Sequence, residues 1–203
     1  MNYDYGLWEL VIVNVLFILI FLLGFLRPRK KREWKSMGVV SAFFVSLFTE
    51  MYGIPLTIYF LSSVVGYNIP TLNPYAHESG HLLAVFGLGV EQATLICDLG
   101  SIIFLLGLII IGVGWWHVYR GRGELVESGI YNYIRHPQYL GMFLLTTGMM
   151  IQWPTILTLI MWPILLYSYY RLAKKEEEDL LEEFGADYQE YMKTTAKFIP
   201  FVF

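Results

Sequence analysis

Uncharged runs of roughly membrane-spanning length alternate along this chain with short charged segments. Residues 11–26 read VIVNVLFILIFLLGFL without a single charge, and the apolar run extends back to residue 7 across Glu9. That is long enough to cross a hydrocarbon core about 30 Å thick. It is too long for a secretory signal and lacks a basic leader, so it predicts a retained anchor. A second apolar run, 38–65, contains Glu50, Pro55 and several Ser and Thr, and a third, 99–118, is broken only by glycines. Gly107, Gly112 and Gly114 on this third run permit close helix packing. Runs 140–151 and 155–170 flank Gln152-Trp153-Pro154. They predict a tilted helical hairpin with Trp153 near a membrane interface.

The pattern therefore predicts an all-α integral membrane protein of about five transmembrane helices, including a C-terminal helical hairpin, plus a cytoplasmic C-terminal helix. It is read as a single membrane domain, 1–203. Composition agrees, since 56% of the 203 residues are apolar and 15% charged, against about a quarter charged in soluble domains. A water-soluble fold of this size has no interior large enough for so much apolar side chain.

Charge adds an orientation. Arg27, Arg29, Lys30, Lys31, Arg32 and Lys35 join the first two runs, while Arg120, Arg122 and Arg135 lie between the third and fourth. Arg171, Lys174 and Lys175 follow the fifth, and residues 66–100 hold no Lys or Arg. Alternate connections are basic, which predicts a multi-pass protein with its N terminus outside and its C terminus cytoplasmic. Membrane lipids are expected partners; no nucleic acid and no obligate protein partner is inferred. The single Cys97 has no partner for an internal disulfide.

Two groups of residues carry candidate chemistry. His77-Glu78-Ser79-Gly80-His81 has the H-E-x-x-H spacing that places two imidazoles on one helical face for zinc, with the glutamate as general base. This reads as an intramembrane metalloprotease site. A hydrolytic zinc site needs a third protein ligand, and only Glu91 and Asp98 follow on that side. The competing reading is an amphipathic helix whose polar residues face water, and no metal site is assigned.

The second group has two parts that the hairpin returns to one membrane face. The first runs from Gly123 to Tyr139 and the second from Glu176 to Tyr191. Arg135 and His136 precede Pro137, a residue tolerated at a first helical position because its missing amide proton is unpaired there anyway. Alone, Arg135 reads as a headgroup anchor. Glu176, Glu177 and Glu178 follow Arg171, Lys174 and Lys175 at spacings that also allow pairing along one helix.

Together, Gly-x-Tyr-x-x-x-Arg-His-Pro-x-Tyr from Gly129 to Tyr139 and Glu-Glu-x-x-Leu-x-x-x-Phe-Gly-x-x-Tyr-x-x-Tyr from Glu176 to Tyr191 resemble the isoprenylcysteine carboxyl methyltransferase family and its phospholipid methyltransferase relatives. The similarity covers about 112–200, which the resemblance marks as the methyltransferase core. It implies S-adenosylmethionine as cofactor, held on the cytosolic side, and a lipophilic or lipid-linked acceptor entering from the bilayer. It implies cofactor contacts from His117, Leu125, Val126, Gly129, Tyr131, His136, Tyr139, Glu176 and Glu177, and catalytic roles for Arg135, Glu176 and Glu177. The chain departs from several relatives in its short connection between His117 and Leu125, which has no Leu-Gly-x-x-Trp-Ser segment. The acceptor stays open between a prenylcysteine carboxylate and a lipid headgroup. A zinc protease and a non-catalytic scaffold are the alternative functions.

Overall fold

A computed structural model describes residues 6–26, 31–66, 90–121 and 124–200. His77, Glu78 and His81 lie outside these described residues, as does most of the connection that holds them. Within them the regular elements are helices: α1 (Trp8–Leu26), α2 (Lys31–Phe48), α3 (Leu56–Phe60), α4 (Val90–Gly121), α5 (Pro137–Gln152), α6 (Ile156–Phe184) and α7 (Ala186–Thr194). Among the described residues, Ile134 and Ala196 form an isolated parallel bridge. The chain divides into two compact units, Met1–Ile102 with Gly148–Leu165 and Ile103–Thr147 with Leu166–Phe203.

In the first unit, Val40, Phe43, Phe44 and Leu47 form the buried stripe of α2, at the three- and four-residue spacing of a helix face. Asn14, the polar residue within apolar α1, satisfies its amide by donating to Leu10 O at 2.8 Å. The amides of Gly6 and Leu7 both donate to Tyr52 O, at 3.1 and 3.0 Å. This ties the start of α1 to the residues that follow α2.

The second apolar run is not one continuous helix. After Phe48 the backbone widens over Thr49–Gly53, and Ile54 N donates to Thr49 O at 2.8 Å. Pro55 then has no amide proton to continue the ladder. The buried Glu50 bridges the break, its Oε2 accepting from Thr57 N, in the first turn of α3, at 2.9 Å. Thr57 in turn accepts from Ile156 N through Oγ1 at 3.0 Å, fastening α3 to the start of α6. Glu50→Ala leaves a buried helix-start amide without its acceptor, so a loss of about 1–3 kcal/mol is expected. Glu50→Gln retains an acceptor oxygen and should lose markedly less; thermal unfolding in detergent compares the two.

The hairpin is present, with refinements at its turn and its outgoing arm. Thr155 and Thr158 cap the start of α6 reciprocally, Thr158 N donating to Thr155 Oγ1 at 3.1 Å and Thr155 N to Thr158 Oγ1 at 3.2 Å. Trp153 is buried rather than set out at a surface. The outgoing arm runs on as one helix to Phe184, so Glu176, Glu177 and Glu178 are helical. Residues 171–184 contain no Gly or Pro and are rich in Leu, Lys and Glu, strong helix formers. Lys175 supports them by pairing with Glu178 at 3.2 Å and Asp179 at 3.3 Å.

Two helical segments, Glu91–Gly121 and Ile156–Phe184, are long and apolar enough to cross a membrane. On α4, Leu95, Leu99, Ile102, Leu105, Leu106 and Ile109 are exposed. A contiguous apolar face of this kind is unfavourable in water and suited to lipid. The described fold is thus all-helical and has the character of a membrane protein.

Candidate functional site

The second unit is organised around a close crossing of α4 and α5. A Cβ on Gly107 would lie 2.6 Å from both Gly141 O and Leu145 N, and one on Gly141 would lie 2.6 Å from Ile111 Cγ1. Gly114 faces Pro137 and Gln138 more loosely, with a Cβ at 3.3 Å from each. Gly112, expected in the same packing, has open space where its Cβ would be. The crossing fixes the first turn of α5, begun by Pro137, beside the last turns of α4.

His117 lies in those last turns, its Nδ1 2.9 Å from Val113 O. The segment returning toward α5 makes a single 3₁₀ turn, Gly129–Asn132. Gly129 has φ +66°, and a Cβ there would fall 2.2 Å from His117 Nε2. Both the left-handed backbone and the contact with the imidazole therefore demand glycine. Tyr131 is buried beside them, and its carbonyl accepts from Tyr191 OH at 2.7 Å. Burial pushes the Tyr131 phenol well above its ordinary pKa, with the Glu176 charge adding to the shift, so the ring keeps its proton.

Arg135 and His136 are threaded between α6 and the chain beyond α7. Arg135 N donates to Ala196 O at 2.8 Å, and His136 N to Lys197 O at 3.1 Å. The Arg135 guanidinium is held through two of its nitrogens: Nε donates to Glu177 Oε1 at 3.0 Å, and Nη1 to Met192 O at 2.9 Å and to Thr195 O. Its side chain is 8% exposed. A boundary arginine reaching for lipid headgroups would have its fork in the open; this one holds the protein together.

Glu177 is the hub. Its Oε1 accepts from Arg135 and lies 3.2 Å from His136 Nε2, while Oε2 accepts from Lys197 Nζ at 2.7 Å. Burial alone would raise its pKa, but the hydrogen bonds and charges of His136 and Lys197 outweigh it and bring it down to about 2. His136 is also buried, which by itself would lower its pKa. Its contacts with Glu176 and Glu177, and their negative charges, win and raise it. Glu176 Oε2 is 3.6 Å from His136 Nδ1, and its side chain is 44% exposed. The two neighbouring glutamates thus differ sharply, one locked and one open.

Two cavities adjoin along Glu124, Leu125 and Val126, which line both. The larger, about 630 Å³, is walled also by Trp116, His117 and Arg120. The smaller, about 180 Å³, takes in Tyr131, Arg135, His136, Glu176 and Tyr191. Ligand sites typically enclose about 300–1,000 Å³, mostly apolar with a few convergent polar groups. Leu125, Val126, His117, Tyr131, His136 and Glu176 are therefore brought to one site. Gly129 shapes it from behind His117. Tyr139 and Glu177 do not line either cavity; the Tyr139 ring lies 5.6 Å from the His136 ring and supports it. Motif reading passed over Glu124, Lys197 and the aromatic wall of Tyr188 and Tyr191. The two tyrosines stand inside the quoted acidic motif, whereas Lys197 stands outside any motif.

Lipid-suited helical surfaces and a charged, partly enclosed pocket define a helical protein of membrane character with a candidate site beside its hairpin. Residues 93–183 match the isoprenylcysteine carboxyl methyltransferase (ICMT) family, so the resemblance carried by Gly129 to Tyr139 and by the acidic helix is shown. Among curated relatives, the protein-S-isoprenylcysteine O-methyltransferase of Saccharomyces cerevisiae is 30% identical over 54% of this chain and 52% of its own length. The Homo sapiens protein of the same name is 23% identical over 82% of this chain and 62% of its own. The Arabidopsis thaliana protein-S-isoprenylcysteine O-methyltransferase B is 27% identical over 58% and 66%. The matches thus span about half to two-thirds of these relatives' lengths.

Proposed function

We propose that this protein is an S-adenosylmethionine-dependent methyltransferase of the membrane, acting on a lipophilic acceptor that enters from the bilayer. The names of its relatives favour a prenylcysteine carboxylate as that acceptor. The reading includes five membrane crossings, with the N terminus outside and the pocket on the cytoplasmic side, supported by the alternation of basic connections.

The observation that carries the proposal is the pair of adjoining cavities lined by accessible carboxylates, Glu124 on both and Glu176 on the smaller, where it stands beside His136. Leu125 and Val126 would pack on the apolar parts of the cofactor, and Tyr131 and His136 would complete its wall. Glu176 suits its ribose hydroxyls or its ammonium as a hydrogen-bond acceptor. When bound, S-adenosylmethionine supplies an activated methyl group on a sulfonium. The work of the chain is then to align donor and acceptor and keep water out. Arg135 and Glu177, paired with each other and with their neighbours, serve this by holding His136 in place beside Glu176.

In nanodiscs, S-adenosylhomocysteine should raise the melting temperature of the parent protein. Glu176→Gln should weaken that binding at least tenfold, about 1.4 kcal/mol, while leaving the unliganded protein folded. No stabilisation of the parent by S-adenosylhomocysteine would sink the proposal.

A further inference from the structure

Lys197 lies beyond α7, in a segment that pairs with the residues leading into α5. It holds His136 in two ways. Its carbonyl accepts from His136 N at 3.1 Å. Its ammonium donates to Glu177 Oε2 at 2.7 Å, and the other oxygen of that carboxylate is 3.2 Å from His136 Nε2. The ammonium also sits 5.1 Å from the centre of the Tyr170 ring and 5.8 Å from that of Phe198, within reach of their faces. Phe198 in turn packs against the His136 ring, with centroids 5.8 Å apart.

We propose that Lys197 is a positioning residue of the pocket. Its ammonium pins the Glu177 carboxylate against His136, and so sets the orientation and charge of the imidazole that walls the cavity beside Glu176. The part that concerns a ligand rests on the methyltransferase reading; the grip on His136 does not. The contacts form one line from the C-terminal segment to the pocket: Lys197 Nζ to Glu177, Glu177 to His136 Nε2, and His136 Nδ1 to Glu176. Without Lys197, Glu177 Oε2 would lose its cation, and the carboxylate, held by Arg135 and His136 through Oε1 alone, would be able to rotate about that oxygen.

Two roles are distinguishable by sign. Glu177 is faced by Arg135 and His136 from the start of α5 and by Lys197 from the terminal segment, with Glu176 beside it on α6 and Tyr188 of α7 within range of its charge. His136 is faced by Glu176, Glu177 and the rings of Tyr139 and Phe198. If Lys197 only screens Glu177, its removal exposes His136 to more negative charge, and the histidine titrates at higher pH. If Lys197 holds Glu177 in place, its removal lets the carboxylate leave, and His136 titrates lower.

The experiment follows the His136 Cε1–H resonance of the full chain in micelles by NMR, assigned with His136→Gln, together with S-adenosylhomocysteine affinity by melting shift. In Lys197→Met the His136 midpoint should fall by about half a pH unit or more, and affinity should fall about tenfold. Lys197→Arg should restore both nearly to the parent. An unchanged or raised midpoint overturns the proposal, as does a lowered midpoint with unaltered affinity. If the parent itself does not bind S-adenosylhomocysteine, the methyltransferase reading fails, and the midpoint alone decides the hold of Lys197 on His136. Should Lys197→Met not fold, Lys197→Gln takes its place under the same two outcomes.

Discussion

Arg135→Ala should be the most damaging single substitution in the site, lowering stability by about 3–5 kcal/mol and methyl-transfer efficiency by at least tenfold. The guanidinium closes three contacts that nothing else can make at once: Glu177 on α6, and the carbonyls of Met192 and Thr195 at the end of α7. Truncation leaves Glu177 with only Lys197 and His136, and takes the donor from two part-buried carbonyls at once. Removing one member of a buried, hydrogen-bonded charge pair costs far more than breaking an exposed pair, which loses about 0.2–1 kcal/mol. Arg135→Lys keeps the charge without the planar fork, so it should fall between alanine and the parent. Thermal unfolding and turnover at matched concentrations of folded protein check both. An alanine variant that melts and turns over like the parent would mean that Arg135 does no more than anchor the chain at a surface.

Gly107→Ala should be nearly as harmful, and for a reason remote from charge. The added methyl meets backbone on the facing helix, Gly141 O and Leu145 N, each at 2.6 Å. Backbone cannot swing aside as a side-chain tip can, so α5 must move away from α4. Overpacking of this sort costs about 1–3 kcal/mol or more, and the upper end is expected here. Because the same crossing sets the start of α5, cofactor affinity should fall along with stability. Gly112→Ala is the matched control: its Cβ meets nothing within 4 Å, and alanine is the better helix former, so a neutral or slightly raised melting temperature is expected. Equal effects from the two substitutions would contradict the crossing.

Elements whose signal is local were legible in the chain itself. The limits of α1 and the existence of the hairpin follow from uninterrupted apolar runs and a Trp-Pro turn. Pro137 at the first position of α5 is likewise a property of the residue, since it lacks the proton that a helix start leaves unpaired. The break in the second run was less visible. Glu50 and Pro55 stand in the sequence, but that the carboxylate reaches across to Thr57 N depends on how the widened turn folds back.

Sequence by itself determined that the two segments flanking the hairpin return to one level, because the two helices run up and back. The resemblance implied His117, Leu125, Val126, Gly129, Tyr131, Arg135, His136, Tyr139, Glu176 and Glu177 together, and of these Leu125, Val126, Tyr131, Arg135, His136 and Glu176 line one cavity while Tyr139 and Glu177 stand behind it. Only the tertiary structure decided where each side chain stands. Glu176 and Glu177 are chemically identical and adjacent, yet a helix turns successive side chains by about 100°. One faces a cavity while the other faces Arg135, His136 and Lys197. That distinction, and the part played by Lys197, arise from contacts such as Arg135 with Thr195 and His136 with Lys197, far apart in the chain. No local pattern encodes such distances, since they are set by the close approach of glycine backbones and by the terminal segment pairing with the entry to α5.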